Sequence, residues 1–222
     1  MADGQTDTDS WATKFYPREG DGVGFDRVVF FSDAVIAIAV TLMAVEIGLP
    51  EIEDSGSSAE LWHAVVHKFP MFTAYLAAFA FVAFYWRANH RFTTTLRGMS
   101  SRYIAFVMVY LGILALLPLP AGMLGHYWEN PVAVVIFAVF AAAVSVWETV
   151  LFVVADRDAL FIRPITAHYR RQAIVGSLTP LVGFLLSIPI AFVSTWAAIA
   201  CWCVCAIVLG ALVNRFLPAK AP

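Results

Sequence analysis

Charge is scarce in this chain: Asp, Glu, Lys and Arg account for 14% of 222 residues, and hydrophobic residues for 61%. Soluble domains carry nearer a quarter charged residues, so a soluble fold is excluded. The net charge of -2, with no basic stripe anywhere, excludes nucleic acid as a partner. Cysteine is almost missing too. The three present stand in CWCVC, where Cys201 and Cys205 share a helix face and Cys203 points the other way, so three sulfurs cannot converge on one metal ion. No basic region precedes an apolar core as a signal peptide requires, because Asp3, Asp7, Asp9, Glu19 and Asp21 outnumber Lys14 and Arg18. No TVGYG filter occurs, no span carries arginines at every third position, and the glycine-rich GDGVG from Gly20 to Gly24 lacks the GK[ST] ending of a phosphate loop. That glycine-rich stretch reads as linker, and residues 1–25 as a retained, partly disordered tail.

What remains is long, continuous apolar sequence with a mean hydropathy of +0.78. A bilayer holds no water to satisfy backbone groups, so a span needs roughly 20 apolar residues in a helix or a closed barrel. Continuous rather than alternating runs select helices. Six spans are expected: Asp26 to Leu49, Glu60 to Arg91, Arg102 to Leu124, Pro131 to Ala155, Ile165 to Ser187 and Phe192 to Phe216. Asp26 is the expected N-cap of the first and Pro50 its stop, while Lys68 and Pro70 are expected to kink the second. The predicted class is all-α: a polytopic membrane protein with one channel-sized domain over 26–216, a tail at 1–25 and another at 217–222. No internal duplication is visible.

With six spans and both termini on one side, all but Lys68 of the 14 Lys and Arg residues fall on that side. The positive-inside rule makes it the cytoplasm. The opposite side holds the acidic loop PEIEDSGSSAE, with Trp62, Tyr127, Trp128 and Trp196 at the depth of an interfacial belt.

Ionisable groups inside spans are functional candidates, because an unpaired charge in lipid is costly. Arg27 and Asp33 open the first span, Arg87, Asn89 and His90 close the second, and Glu148 lies near the inner end of the fourth, so acids and bases of three helices meet at one depth. His63 and His67 are one turn apart at the outer end of the second span, a spacing that suits a two-histidine metal site but more often marks an ordinary polar surface. On a helical wheel Ile38, Thr41, Leu42 and Val45 share a face, with Ala34 and Phe31 continuing it, whereas Asp33 falls about 140° from Ile38. From periodicity alone, ordinary helix packing is the favoured explanation of that stripe over a lining.

The run R-x-x-x-F-S-D, here Arg27, Phe31, Ser32 and Asp33 followed by AVIAIAVTLM, resembles the signature of the lysosomal potassium channel family, the transmembrane-protein-175 type, in its bacterial branch. The second-span ending with Tyr85, Trp86, His90 and Phe92 is similar to that family's pattern as well. The resemblance implies a potassium-selective channel of the cell membrane, assembled as a homotetramer with the first helix lining a central pore. It implies no enzyme activity and no cofactor, with permeant potassium ions, the lipid bilayer and other copies of the chain as partners. Carried over by register, Ile38 is the hydrophobic constriction, Thr41 and Val45 are the next pore layers, and Leu42 is their neighbour. Arg27, Ser32, Asp33 and His90 are expected in a polar network behind the helix, Asp33 being paired with Arg27, His90 or both. The competing reading is a proton-coupled secondary transporter with Asp33, Glu148 and His90 as the relay.

Overall fold

The computed structural model describes residues 14–19 and 23–216. Expectations for residues 1–13, for Gly20 to Gly22 and for 217–222 lie outside the described residues. The chain runs through β1 (Phe15–Pro17), α1 (Val23–Val45), α2 (Ser58–His67), α3 (Phe69–Thr93), β2 (Gly98–Ser100), α4 (Ser101–Ala115), α5 (Pro118–His126), α6 (Pro131–Arg157), α7 (Ala167–Ala191) and α8 (Thr195–Phe216). Among the described residues, five segments have the length and hydropathy of a membrane span: α1, α3, α4 with α5, α6 and α7. The 22 residues of α8 give it the length of a further one, about 33 Å at 1.5 Å per residue.

Two boundaries differ from expectation, each for a local reason. Asp26 lies inside the first turn of α1 rather than at its cap, and its carboxylate faces the positive end of the helix dipole there. The helix also stops before Pro50, because Gly48 adopts φ 63 and its N–H donates to the Val45 carbonyl at 3.0 Å. The Lys68 ammonium then donates to the free Ile47 carbonyl at 2.7 Å, placing a cation at the negative end of the helix. The expected second span, Glu60 to Arg91, is two helices. Pro70 has no N–H to give to α2, but it fits the first turn of α3, where no donor is needed.

The bundle centres on α6, which packs against α4, α5, α7 and α8, while α1 lies against α3, α4 and α5. Ala138, Ala141 and Ser145 of α6 are fully buried. In lipid the apolar effect between helices is weak, so small side chains that let backbones approach supply the packing. Ser145 donates to the Ala141 carbonyl at 3.0 Å, so the short hydrogen bond from Tyr85 of α3 must be donated by the tyrosine hydroxyl.

At one end of the bundle a small plate joins three chain segments. β1 pairs antiparallel with β2 (Phe15 opposite Ser100, Pro17 opposite Gly98), Leu96 bridges to Phe161, and Arg102 pairs with Asp158. Asp158 also accepts from Ser100 Oγ at 2.6 Å, and Arg170 pairs with Asp156 at 2.7 Å. So Phe15 to Pro17, expected within a disordered tail, form a strand, because the backbone of the α3–α4 connection offers them partners.

At the other end, the Glu60 carboxylate accepts the N–H groups of Glu53 at 2.6 Å and Asp54 at 3.1 Å, which hold it below its ordinary value of 4.5. A lowered folded value means that this tie is complete above 4.5 and fades as pH falls through the folded value. Amide exchange at Glu53 and Asp54, corrected for intrinsic rates, is expected to lose protection on acidification, and Glu60→Gln to remove that pH dependence. A β-carbon on Gly98 would stand 2.3 Å from the Phe15 ring and 2.6 Å from the Tyr16 carbonyl. Gly98→Val is therefore expected to release β1 and speed tryptic cleavage at Arg18; cleavage at the wild-type rate would refute the pairing.

Candidate functional site: the first helix and the cavity behind it

The α1 helix has two unlike faces. Ile36, Ala39 and Met43, at helical spacing, are 6%, 2% and 2% exposed, whereas Ile38, Leu42 and Val45 are 58%, 49% and 73% exposed, with Thr41 exposed between them. Only 17% of its most apolar stretch is buried, against 44% for α6. The helix thus rests on the bundle along one stripe and leaves the Ile38 stripe uncovered by its own chain. Thr41 Oγ1 donates to the Ile38 carbonyl at 2.8 Å, which leaves the lone pairs of that oxygen free.

Behind α1, between it, α3 and α4, lies a cavity of about 160 Å³. Phe25, Asp26, Ser32 and Asp33 line it from α1, Asn89, His90 and Thr93 from α3, and Tyr103 and Tyr110 from α4. Arg18 closes its inner end, its Nη1 donating to the Thr94 carbonyl at 2.7 Å and its guanidinium lying 5.8 Å from the Phe25 ring. The Tyr110 hydroxyl is buried with no partner among the described residues. A space this large with that many polar walls accommodates water.

Asp33 meets neither Arg27 nor His90. Its Oδ1 accepts from Trp86 Nε1 of α3 at 2.8 Å, and the Trp86 ring stacks on His90 one turn further on, with centroids 5.4 Å apart at 24°. His90 therefore stands against the indole rather than against the carboxylate. Ser32 turns back to the Val28 carbonyl at 2.8 Å. Arg27 is exposed and makes no ion pair among the described residues, and Phe31 is 51% exposed beside it. The basic group near this network is Arg18. Its position in an acidic tail carries no periodic signal, so nothing in the sequence marks it, whereas Trp86 is legible as the residue one turn before His90 on the same face.

Glu148 stands apart from the cavity wall, within electrostatic reach of Tyr85, Tyr103, Tyr110 and Arg91. Cys201 and Cys205 lie side by side at 3.7 Å while Cys203 is exposed, as one helix face requires. Among the described residues no three His, Cys, Asp or Glu side chains converge on a metal position.

An all-α bundle of membrane-length helices defines a multi-pass membrane protein, in which the Ile38 stripe of α1 is uncovered by its own chain and a polar cavity lies behind that helix. The sequence profile of the family described as endosomal/lysosomal potassium channel TMEM175 matches residues 27–118. A potassium channel of Streptomyces collinus is 25% identical over 173 residues, covering 76% of this chain and 82% of that protein. One of Chamaesiphon minutus is 28% identical over 184 residues (78% and 87%), and one of a Chryseobacterium species 33% over 109 residues (48% and 53%). The fold is shared with the crystal structure of a lysosomal potassium-selective channel TMEM175 homolog from Chamaesiphon minutus, with a TM-score of 0.71 and 22% identity, covering 85% of this chain and 97% of that one. The chain is thus similar to this potassium channel family over residues 27–118 and, at 25–33% identity, to bacterial proteins named as potassium channels.

Because Trp86 is 40% exposed, its bond to Asp33 is partly screened. Trp86→Phe and Asp33→Ala are each expected to lower stability by about 1 kcal/mol. Their double-mutant cycle should show a coupling of about 0.5–1.5 kcal/mol in thermal unfolding of the purified protein, and additive losses would remove the bond from the account.

Proposed function

We propose that this protein is a potassium-selective cation channel of the cell membrane, formed by four copies with α1 of each lining a central pore. The observation that carries the reading is the uncovered stripe of Ile38, Thr41, Leu42 and Val45 on a helix whose other face is buried. It is supported by the family match, which begins at Arg27 and includes the whole stripe. Residues 26–216 form the channel domain, with the tails at 1–25 and 217–222 and both termini in the cytoplasm, where the basic residues concentrate.

Ile38 lies eleven residues past Arg27, a rise of about 16 Å, near the middle of the bilayer. Four isoleucines around an axis make a narrow apolar ring that resists wetting and so holds the pore closed until the helices separate or rotate. Thr41, one turn further out, supplies an oxygen to a partly dehydrated ion. Potassium holds its water less tightly than sodium, so a tight and weakly polar constriction favours it without a carbonyl cage. Leu42 and Val45 continue the wall. Asp33, through its bond from Trp86, holds α1 to α3 from behind, and Ser32 and His90 line the same cavity rather than meeting the ion. Against a proton-coupled carrier stands the separation of Glu148 from the cavity that holds Asp33 and His90, which leaves that relay without its third member.

Currents from purified protein in liposomes under potassium and sodium gradients test the whole reading. Ile38→Asn is expected to change conductance or the potassium-to-sodium permeability ratio, and unchanged currents would sink the constriction. Asp33→Ala is expected to reduce tetramer yield or thermal stability more than selectivity. A stable tetramer with altered selectivity would place Asp33 in the ion path instead.

A further inference from the structure

We propose that His63 and His67 of α2 form a surface site for a divalent transition-metal ion of the zinc class. The site goes beyond the channel reading and does not depend on it. The two residues lie one turn apart on one face of the helix, and both are exposed. Their Nε2 atoms face each other at 3.2 Å, with ring centroids 4.3 Å apart and planes at 64°. Two imidazoles bound at about 2.05 Å and subtending about 100–110° at one ion have nitrogens about 3.1–3.4 Å apart. The observed separation falls inside that interval.

Within the pair, one ring donates its Nε2–H to the other. Moving that proton to Nδ1 frees both Nε2 lone pairs with no change in net charge, and both rings then bind in the neutral form that metal coordination requires. The helix that carries them is held at both ends. Ser57 accepts the Glu60 N–H at its start, and the Lys68 N–H donates to the Val65 and Val66 carbonyls at its end. Glu60, one turn before His63, is engaged with the Glu53 and Asp54 amides, and no third His, Cys, Asp or Glu joins the pair among the described residues. Water therefore completes the coordination shell. Imidazole nitrogen selects zinc, copper and nickel over magnesium and calcium, which prefer oxygen, and the adjoining acidic loop with Glu51, Glu53 and Asp54 raises the local cation concentration.

Calorimetric titration of the detergent-solubilised full chain with zinc chloride, in a buffer that does not bind metal, tests the site by binding rather than by current. One saturable event per chain is expected, weakened roughly tenfold or more in His63→Ala and in His67→Ala. His63→Gln, which keeps a polar side chain without the imidazole, should weaken it equally, and size exclusion confirms that each variant retains the wild-type assembly. His126→Ala, at another exposed histidine on the same side, should leave binding unchanged. Equal zinc binding by the chain carrying both His63→Ala and His67→Ala, its loss in His126→Ala, or an equal event with magnesium chloride would each overturn the assignment.

Discussion

Every polar group inside a bilayer must find a partner within the protein or line water, and this requirement divides α1 into its two faces. Asp33 finds an indole N–H, Ser32 the Val28 carbonyl, and Thr41 the Ile38 carbonyl, so the helix crosses the apolar layer with its side chains engaged. The carboxylate decides which way the helix turns. With Asp33 directed at Trp86 and the cavity, the wheel leaves Ile38 and Val45 on the far side, away from the protomer. An aspartate placed one residue earlier or later would rotate this demand by about 100° and bring a different row of residues outward.

Much of this was legible from the residues alone, because the membrane simplifies the code. Apolar runs give α1, α6, α7 and α8 nearly their observed limits, and the opposite placement of Asp33 and Ile38 follows from spacing alone. What escaped were contacts between segments distant in sequence. Trp86 as the partner of Asp33 needs the approach of α3 to α1, and a charge-based reading favours Arg27 or His90 because ion pairs are the usual remedy for a buried acid. A half-exposed tryptophan with a single donor does the same work without importing a second charge into the layer.

The other misreadings share a cause. Phe15 to Pro17 have no periodicity to read, and their order comes from the backbone of the connection that they meet, centred on Gly98, where a side chain would collide with Phe15. The break between α2 and α3 is local and was half visible, since Lys68 and Pro70 mark it. Their effect is to end one helix and begin another rather than to bend a single one, because the proline falls where a new first turn tolerates it.

Lys68 holds the carbonyl of Ile47, while Phe25 is packed beneath Arg18 at the opposite end of α1. The first helix is in effect a beam clamped near both supports and free along one flank. Such a beam cannot slide along its axis without breaking a clamp, but it can bow, and its deflection is greatest midway between the supports. That midpoint falls at Ile36, within a turn of Ile38, so small changes at either end are delivered to the part of the helix that its own chain leaves bare.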